Sequence, residues 1–219
     1  MRGGSKLGFA GLVMAGGRGL RLGVSIEKPL LKICGVSMLE RVVGALSSSK
    51  FVEQVFVAVT GYTPSTKARA EELGLAVIET RGLGYVEDLR EALEALWVTH
   101  SCRDVVVANV DLPLLSSDVV DEVAEFYLKS GAEAVTVVVK YDDYVKLGFK
   151  ADYPFKHGGT VVAPVGLNVL RADIARSGRE LREAIYVYPQ VKPLVNVNTL
   201  KEAEIAEMLI CKHPRRPPH

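Results

Sequence analysis

Short apolar runs alternate with amphipathic stretches along most of the chain. Phe9–Met14 is continuously apolar and short, the pattern of a strand covered on both faces. Ser37-Met-Leu-Glu40 is a capping box, with the Ser hydroxyl accepting one free helix N–H and Glu40 another; it predicts a helix to about Ser48. Val55–Val59 reads as a second strand. Thr63-Pro64 opens a helix, with proline at the first position, where no N–H is needed. Ala76–Ile78 reads as strand, and Val86–Leu96 as an amphipathic helix with Leu89, Leu93 and Leu96 on one stripe. Asp104–Asn109 is the most apolar short strand, followed by helix at Asp118–Leu128 and strand at Ala134–Val139. Alternation repeated in this way predicts an α/β fold with a mostly parallel central sheet and right-handed crossovers.

The second half is less regular. Lys140–Thr160 is polar, aromatic and glycine-containing, and reads as a loop or lid. Val161–Leu170 contains a strand, Leu194–Val197 reads as another, and Thr199-Leu-Lys-Glu202 is a second capping box opening the last helix. The expected domain spans residues 7–212, and the Pro/Arg-rich tail 213–219 is expected to be disordered. Leu7–Ala15, preceded by Arg2 and Lys6, has the outline of a signal peptide, but the same run suits a buried parallel strand.

Composition narrows the function classes. A net charge of +1 gives no whole-molecule field for nucleic acid or membrane, so an anion site must be local. No run reaches the roughly eighteen apolar residues of a membrane span. Cys34, Cys102 and Cys211 match no zinc or redox spacing and read as reduced thiols of a cytoplasmic protein. His100, His157, His213 and His219 are scattered, without a partner at ligand spacing.

The richest stretch directly follows the first strand: Ala15-Gly16-Gly17-Arg18-Gly19-Leu-Arg21-Leu-Gly23, then Glu27-Lys28-Pro29. Ligands of open α/β sheets bind beyond the carboxyl ends of strands. Glycines let main-chain N–H groups close on phosphate oxygens, and Arg18, Arg21 and Lys28 add three cations, a combination suited to a triphosphate. Neither the dinucleotide fingerprint nor the Gly-Lys-Ser/Thr phosphate loop fits: Leu22 stands where the former needs glycine, and Lys28 lies between Glu27 and Pro29. Asp111, just past Asp104–Asn109, places one carboxylate at the same edge, which suits Mg²⁺ with its preference for few carboxylates plus phosphate oxygens.

Ala15-Gly-Gly-x-Gly-x-Arg21-x-Gly with Glu-Lys28-Pro resembles the signature of the nucleotidyltransferases that include molybdenum cofactor guanylyltransferase and the sugar-nucleotide pyrophosphorylases. The gap from Arg21 to Lys28 is one residue longer than that signature has. The resemblance implies a single Rossmann-like nucleotidyltransferase domain in which the loop wraps the triphosphate and Arg21 and Lys28 stabilise phosphate charge. It also implies that Asp111 binds Mg²⁺, with Asn198, or Asn196 in reserve, completing the site. Residues 79–88 would read the base: Glu79, Thr80 and Glu87 as acceptors, Gly82 and Gly84 through their backbone. Glu87 and Asp88 equally suit the first turn of a helix.

Gly84-Tyr-Val-Glu-Asp-Leu89, Val110-Asp-Leu, Ala163-Pro-Val-Gly166-Leu-Asn168-Val and Val195-Asn-Val-Asn-Thr199 together resemble the archaeal adenosylcobinamide-phosphate guanylyltransferases of cobamide synthesis, from about Gly11 to Leu209. That resemblance implies GTP and adenosylcobinamide phosphate as substrates, with Gly166 and Asn168 on the acceptor side. The sequence is compatible with a homodimer. The alternatives are a guanylyl- or cytidylyltransferase acting on a molybdopterin or sugar phosphate, and a non-catalytic GTP-binding regulator.

Overall fold

The computed structural model describes residues 8–23, 25–175 and 179–211. Its first half runs β1 (Phe9–Met14), β2 (Lys32–Ile33), β3 (Val36–Ser37), α1 (Met38–Ser47), β4 (Val52–Val59), α2 (Pro64–Glu72), β5 (Ala76–Glu79), α3 (Tyr85–His100), β6 (Asp104–Asn109) and α4 (Ser117–Ser130). The second runs β7 (Ala134–Lys140), α5 (Tyr141–Lys146), β8 (Phe155–His157), β9 (Thr160–Arg171), α6 (Ala172–Ala175), β10 (Glu183–Val187) and α7 (Leu200–Ile210). The main sheet has the order β10-β7-β9-β6-β1-β4-β5, with β8 on β9. Strands β5, β4, β1 and β6 are mutually parallel, so their carboxyl ends share one edge. β9 is antiparallel to both β6 and β7, and β10 parallel to β7.

Continuous apolar strands have two faces to bury, and their residues alternate between them. Val105 and Val107 join Leu12, Phe56, Leu93 and Leu96 under α3. Val106 and Ala108 join Val13, Val57, Leu39, Val42, Val120 and Val123 under α1 and α4. Both capping boxes are present: the Ser37 and Thr199 hydroxyls accept the N–H of Glu40 and Glu202, whose carboxylates accept the N–H of Ser37 and Thr199. Among the described residues no helix is long and apolar enough to cross a membrane.

Three expectations change, and one strand was not foreseen. The stretch read as a loop or lid over residues 140–160 contains α5 and β8, seated by Tyr144 and Phe149 in the core. Leu194–Val197 is not a strand. Leu194, Val195 and Val197 are fully buried, which gives the same apolar signal, but their backbone joins no ladder; Val197 N–H instead reaches the Asp111 carbonyl at 2.9 Å. β10 had no distinct signal, because its residues are only half-buried beside β7. Finally, Cys34 and Cys211 form a disulfide with Cα atoms 6.0 Å apart, 177 residues apart in sequence. Spacing along the chain could not show that α7 returns its end to the β2–β3 turn. Cys102 is free, and burial pushes its thiol pKa up. The tail 213–219 and both predicted domain limits, residues 7 and 212, lie outside the described residues.

Candidate active site

The shared edge of β1, β4, β5 and β6 opens into a cavity of about 610 Å³, within the usual range for small-molecule sites. The first wall is the turn after β1. Ala15 is fully buried and its N–H donates to the Ala58 carbonyl, so the chain leaves the sheet at Gly16. Thr60 Oγ1 holds the Gly16 carbonyl at 2.8 Å. Among the described residues no acceptor engages the N–H groups of Gly16, Gly17, Arg18 or Gly19, which leaves these donors for a ligand. Gly19 adopts φ 61°, and a Cβ there would lie 2.9 Å from Lys28 Cβ. Glycine at this position therefore lets the loop fold onto the lysine.

Glu27 fixes the other end of that loop. Its carboxylate caps α2, accepting the Ser65 and Thr66 N–H groups at 2.8 and 2.7 Å and the Thr66 hydroxyl at 2.6 Å. Burial raises its pKa, and these hydrogen bonds outweigh burial and hold it below the ordinary carboxylate value. Lys28 Nζ donates to Asp111 Oδ2 at 2.7 Å and to Asn198 Oδ1 at 2.8 Å, and the Lys28 and Asp111 side chains are only 14% exposed. The longer gap after Arg21 therefore does not keep Lys28 from the site.

Asp111 is held from below. Asn196 Nδ2 donates to Asp111 Oδ1 at 2.8 Å and to the Val165 carbonyl at 2.9 Å, while its Oδ1 accepts from the buried Tyr144 hydroxyl at 3.0 Å. Burial, and then Asp111, push the Tyr144 pKa up, so this hydroxyl keeps its proton. Glu202 Oε2 accepts the Asn198 N–H at 2.8 Å, so the second capping box also sets the backbone of Asn198. Asp111 Oδ2 and Asn198 Oδ1 converge on one point, filled by the Lys28 ammonium. That oxygen pair, with the other Asp111 oxygen already committed to an amide, fits a hard divalent cation that draws its remaining ligands from phosphates and water.

The other two cations rest on protein groups. Arg21 makes a two-pronged pair with Asp152 at 2.9 and 3.0 Å, which raises its pKa further. The Arg18 guanidinium lies 4.0 Å from the Tyr62 ring centroid and donates to the Tyr62 hydroxyl.

The sequence candidates separate clearly. Gly16, Gly17, Arg18, Gly19, Arg21 and Lys28 line the cavity, as do Thr80, Gly82, Gly84, Asp111 and Asn198. Ala15 lies beneath it. Glu79 and Glu87 are exposed and do not line it; Glu79 pairs with Lys67. Each side chain points away because the chain around it has to bury its neighbours. Asn168 sits in β9 opposite Val107 and Thr136, and Gly166 packs on Asn109, so neither lines the cavity. At Gly166, with φ 77°, a Cβ would fall 2.2 Å from Asn109 Nδ2; glycine makes room for that amide, whose buried Oδ1 has no partner among the described residues.

Sequence reasoning missed Tyr62, Tyr85, Asp88 and Asn109 as lining residues, and Glu27 and Asp152 behind them. For Asp88 a signal existed: it stands four residues before Ala92 and eight before Leu96, in line with the buried stripe of α3.

Residues 11–186 match the family model described as MobA-like NTP transferase domain. The chain is 31% identical over 211 residues to the adenosylcobinamide-phosphate guanylyltransferase of Methanocaldococcus jannaschii, covering 92% of this chain and 97% of that one. The fold is similar to that of CMP:2-keto-3-deoxy-manno-octonic acid synthetase complexed with CTP, with TM-score 0.68, 15% identity and coverage of 94% and 98%. It is also similar to molybdopterin-guanine dinucleotide biosynthesis protein A from Archaeoglobus fulgidus, with TM-score 0.62, 18% identity and coverage of 92% and 98%.

Proposed function

The chain belongs to the MobA-like NTP transferase family, and from that premise we propose that it transfers GMP from GTP to adenosylcobinamide phosphate, giving adenosylcobinamide-GDP and pyrophosphate. The observation that carries the choice of substrates is the 31% identity spanning nearly the full length of both this chain and a guanylyltransferase of that specificity. Likeness in sequence to cytidylyltransferases reaches 38% but spans only 63% of this chain and 50% of the relative, and the CMP synthetase and molybdopterin structures, at 15% and 18% identity, share the fold alone.

The cleft supplies what such a transfer needs. The acceptor is a phosphate monoester with a second pKa near 6, so its oxygen is ionised at neutral pH without a protein base. It attacks the α-phosphorus in line with the departing pyrophosphate. The enzyme's part is to align the two and offset charge. The free N–H groups of residues 16–19 and the side chains of Arg18 and Arg21 receive the triphosphate. Lys28 leaves its two oxygens for a phosphate oxygen. Asp111 and Asn198 would hold Mg²⁺, which would supply positive charge to offset the negative charge of the phosphates.

Because GTP is an intracellular substrate, this reading places the enzyme in the cytoplasm. A structural disulfide there is the habit of hyperthermophile proteins. The test is to incubate labelled GTP and Mg²⁺ with a panel of phosphorylated acceptors. Adenosylcobinamide-GDP and pyrophosphate are the expected products. Turnover of a molybdopterin or sugar phosphate, with none of adenosylcobinamide phosphate, would overturn the assignment.

A further inference from the structure

Asp88 is a buried carboxylate without a cation. It is 8% exposed, lies in the first turn of α3 and faces the cavity beside Thr80, Gly82 and Gly84. Its Oδ1 accepts the Gly82 N–H at 2.8 Å and the Leu83 N–H at 3.3 Å. Its Oδ2 has no protein donor, and no Lys or Arg pairs with it, among the described residues. A charge removed from water in this way is costly unless hydrogen-bond donors reach it. The protein supplies donors to one oxygen and leaves the other facing the cleft.

The place of Asp88 in the sheet says what would reach it. Asp111 follows β6, and Thr80 follows β5; β1 and β4 lie between them. Three strand spacings put these two ends about 14 Å apart. With triphosphate groups at Asp111 and Lys28, the Thr80–Asp88 end receives the base. The Tyr62 ring lies against Gly82, so an aromatic wall already borders this end.

We propose that Asp88 selects guanine, its free carboxylate oxygen accepting from the N1–H and 2-amino donors of the base. The proposal rests on the guanylyltransferase reading and adds the residue that sets nucleotide choice. Adenine and cytosine present a ring-nitrogen lone pair where guanine has N1–H, and a carboxylate repels it. Glu79 and Glu87, the other acids of this segment, are exposed and outside the cavity.

The test is nucleotide-binding calorimetry with GTP, ITP, XTP and ATP on the wild-type chain and Asp88→Asn. Asparagine keeps an oxygen for the Gly82 N–H and presents an amide N–H₂ instead of the free oxygen. Xanthine has a carbonyl where guanine has its 2-amino group. Wild type should bind GTP about tenfold more tightly than ITP, the scale of one hydrogen bond to a charged group. Asp88→Asn should lose at least about tenfold in GTP affinity and bind XTP more tightly than GTP. If the variant keeps the wild-type ratios, or weakens all four nucleotides equally, Asp88 only holds the Gly82–Gly84 turn and the proposal is overturned. Equal binding of GTP and ITP by the wild type overturns it without any variant. Equal binding of GTP and ATP by the wild type would overturn the guanylyl reading itself, and the role of Asp88 with it.

Discussion

Residues 9–140 and residues 141–211 build the same cleft by different means. The first region carries the parallel strands, the glycine turn and every cation that lines the cavity. Its groups come from strand ends, where an apolar run stops and a polar residue begins. The second region contributes Asn198 to the lining and otherwise works from behind: Asn196 on Asp111, Tyr144 on Asn196, Asp152 on Arg21. The first region thus supplies charge and the second supplies orientation. A carboxylate can bind an ion from several directions, and the neutral amide of Asn196 decides which of its oxygens is left free.

The Cys34–Cys211 bond ties the two regions covalently, and cutting it should have the largest effect. With the cysteines separated by 177 positions in sequence, Cys211→Ser should lower unfolding free energy by about 5 kcal/mol on the chain-entropy account. Urea unfolding with and without reductant measures this. A wild type indifferent to reductant would show that the tie contributes nothing in solution.

Next comes Asp111→Asn, which keeps shape and removes the charge opposite Lys28. Single-turnover rates should fall a hundredfold or more, about 2.7 kcal/mol of activation free energy. GTP affinity should change far less, because the main-chain donors of residues 16–19 are untouched. Near-normal turnover in a folded variant would mean that Asp111 is merely a turn residue.

Asn196→Ala tests the second region directly. It frees Asp111 Oδ1 and removes the acceptor of the Tyr144 hydroxyl, which still accepts the N–H of residue 196. Turnover should fall about tenfold, with half-saturation moved to higher Mg²⁺. A loss that Mg²⁺ does not reduce would point to misfolding rather than misplacement of Asp111.

Acid should weaken the first region and its tie to the second in one pH window. Hydrogen bonds from Ser37 and then Arg69 hold Glu40 down to about 2, and hydrogen bonds from Arg179 and the Arg182 N–H do the same for Glu133. Folded-state values below the ordinary 4.5 mean that this stability is complete above that pH and is lost as pH falls toward 2. Thermal melts of Glu40→Gln should lose part of that slope, and an unchanged slope would assign it elsewhere.

The smallest effect belongs to Asp152→Asn. Both partners of the Arg21 pair are about half exposed, so its release should change GTP affinity by less than about threefold. Tighter binding would show that Asp152 competes with phosphate for Arg21; weaker binding would show that it aims the arginine.

The parallel half of the sheet, both capped helices and the glycine turn with its cations are legible in the order of residues alone. These signals are local: a strand of Val105–Val107 type, a Ser-x-x-Glu box or a run of glycines has its meaning within a few residues. The order of residues also places Asp111 and Asn198 at strand and helix ends, where position along the chain implies position in the fold. Tertiary structure alone decided the rest. The buried Leu194–Val197 run looks like a strand until its hydrogen bond to Asp111 is seen. Cys34 and Cys211 look unpaired until α7 brings its end back to the β2–β3 turn. Glu87 and Asp88 are neighbouring acids, and only the register of Asp88 with Ala92 and Leu96 sets it apart along the chain. The docking of α3 on the sheet buries Asp88 against the cleft and leaves Glu87 exposed, because the rotation of the helix sets which of its carboxylates meets the ligand, while Glu79 ends β5 and pairs with Lys67 outside the cavity.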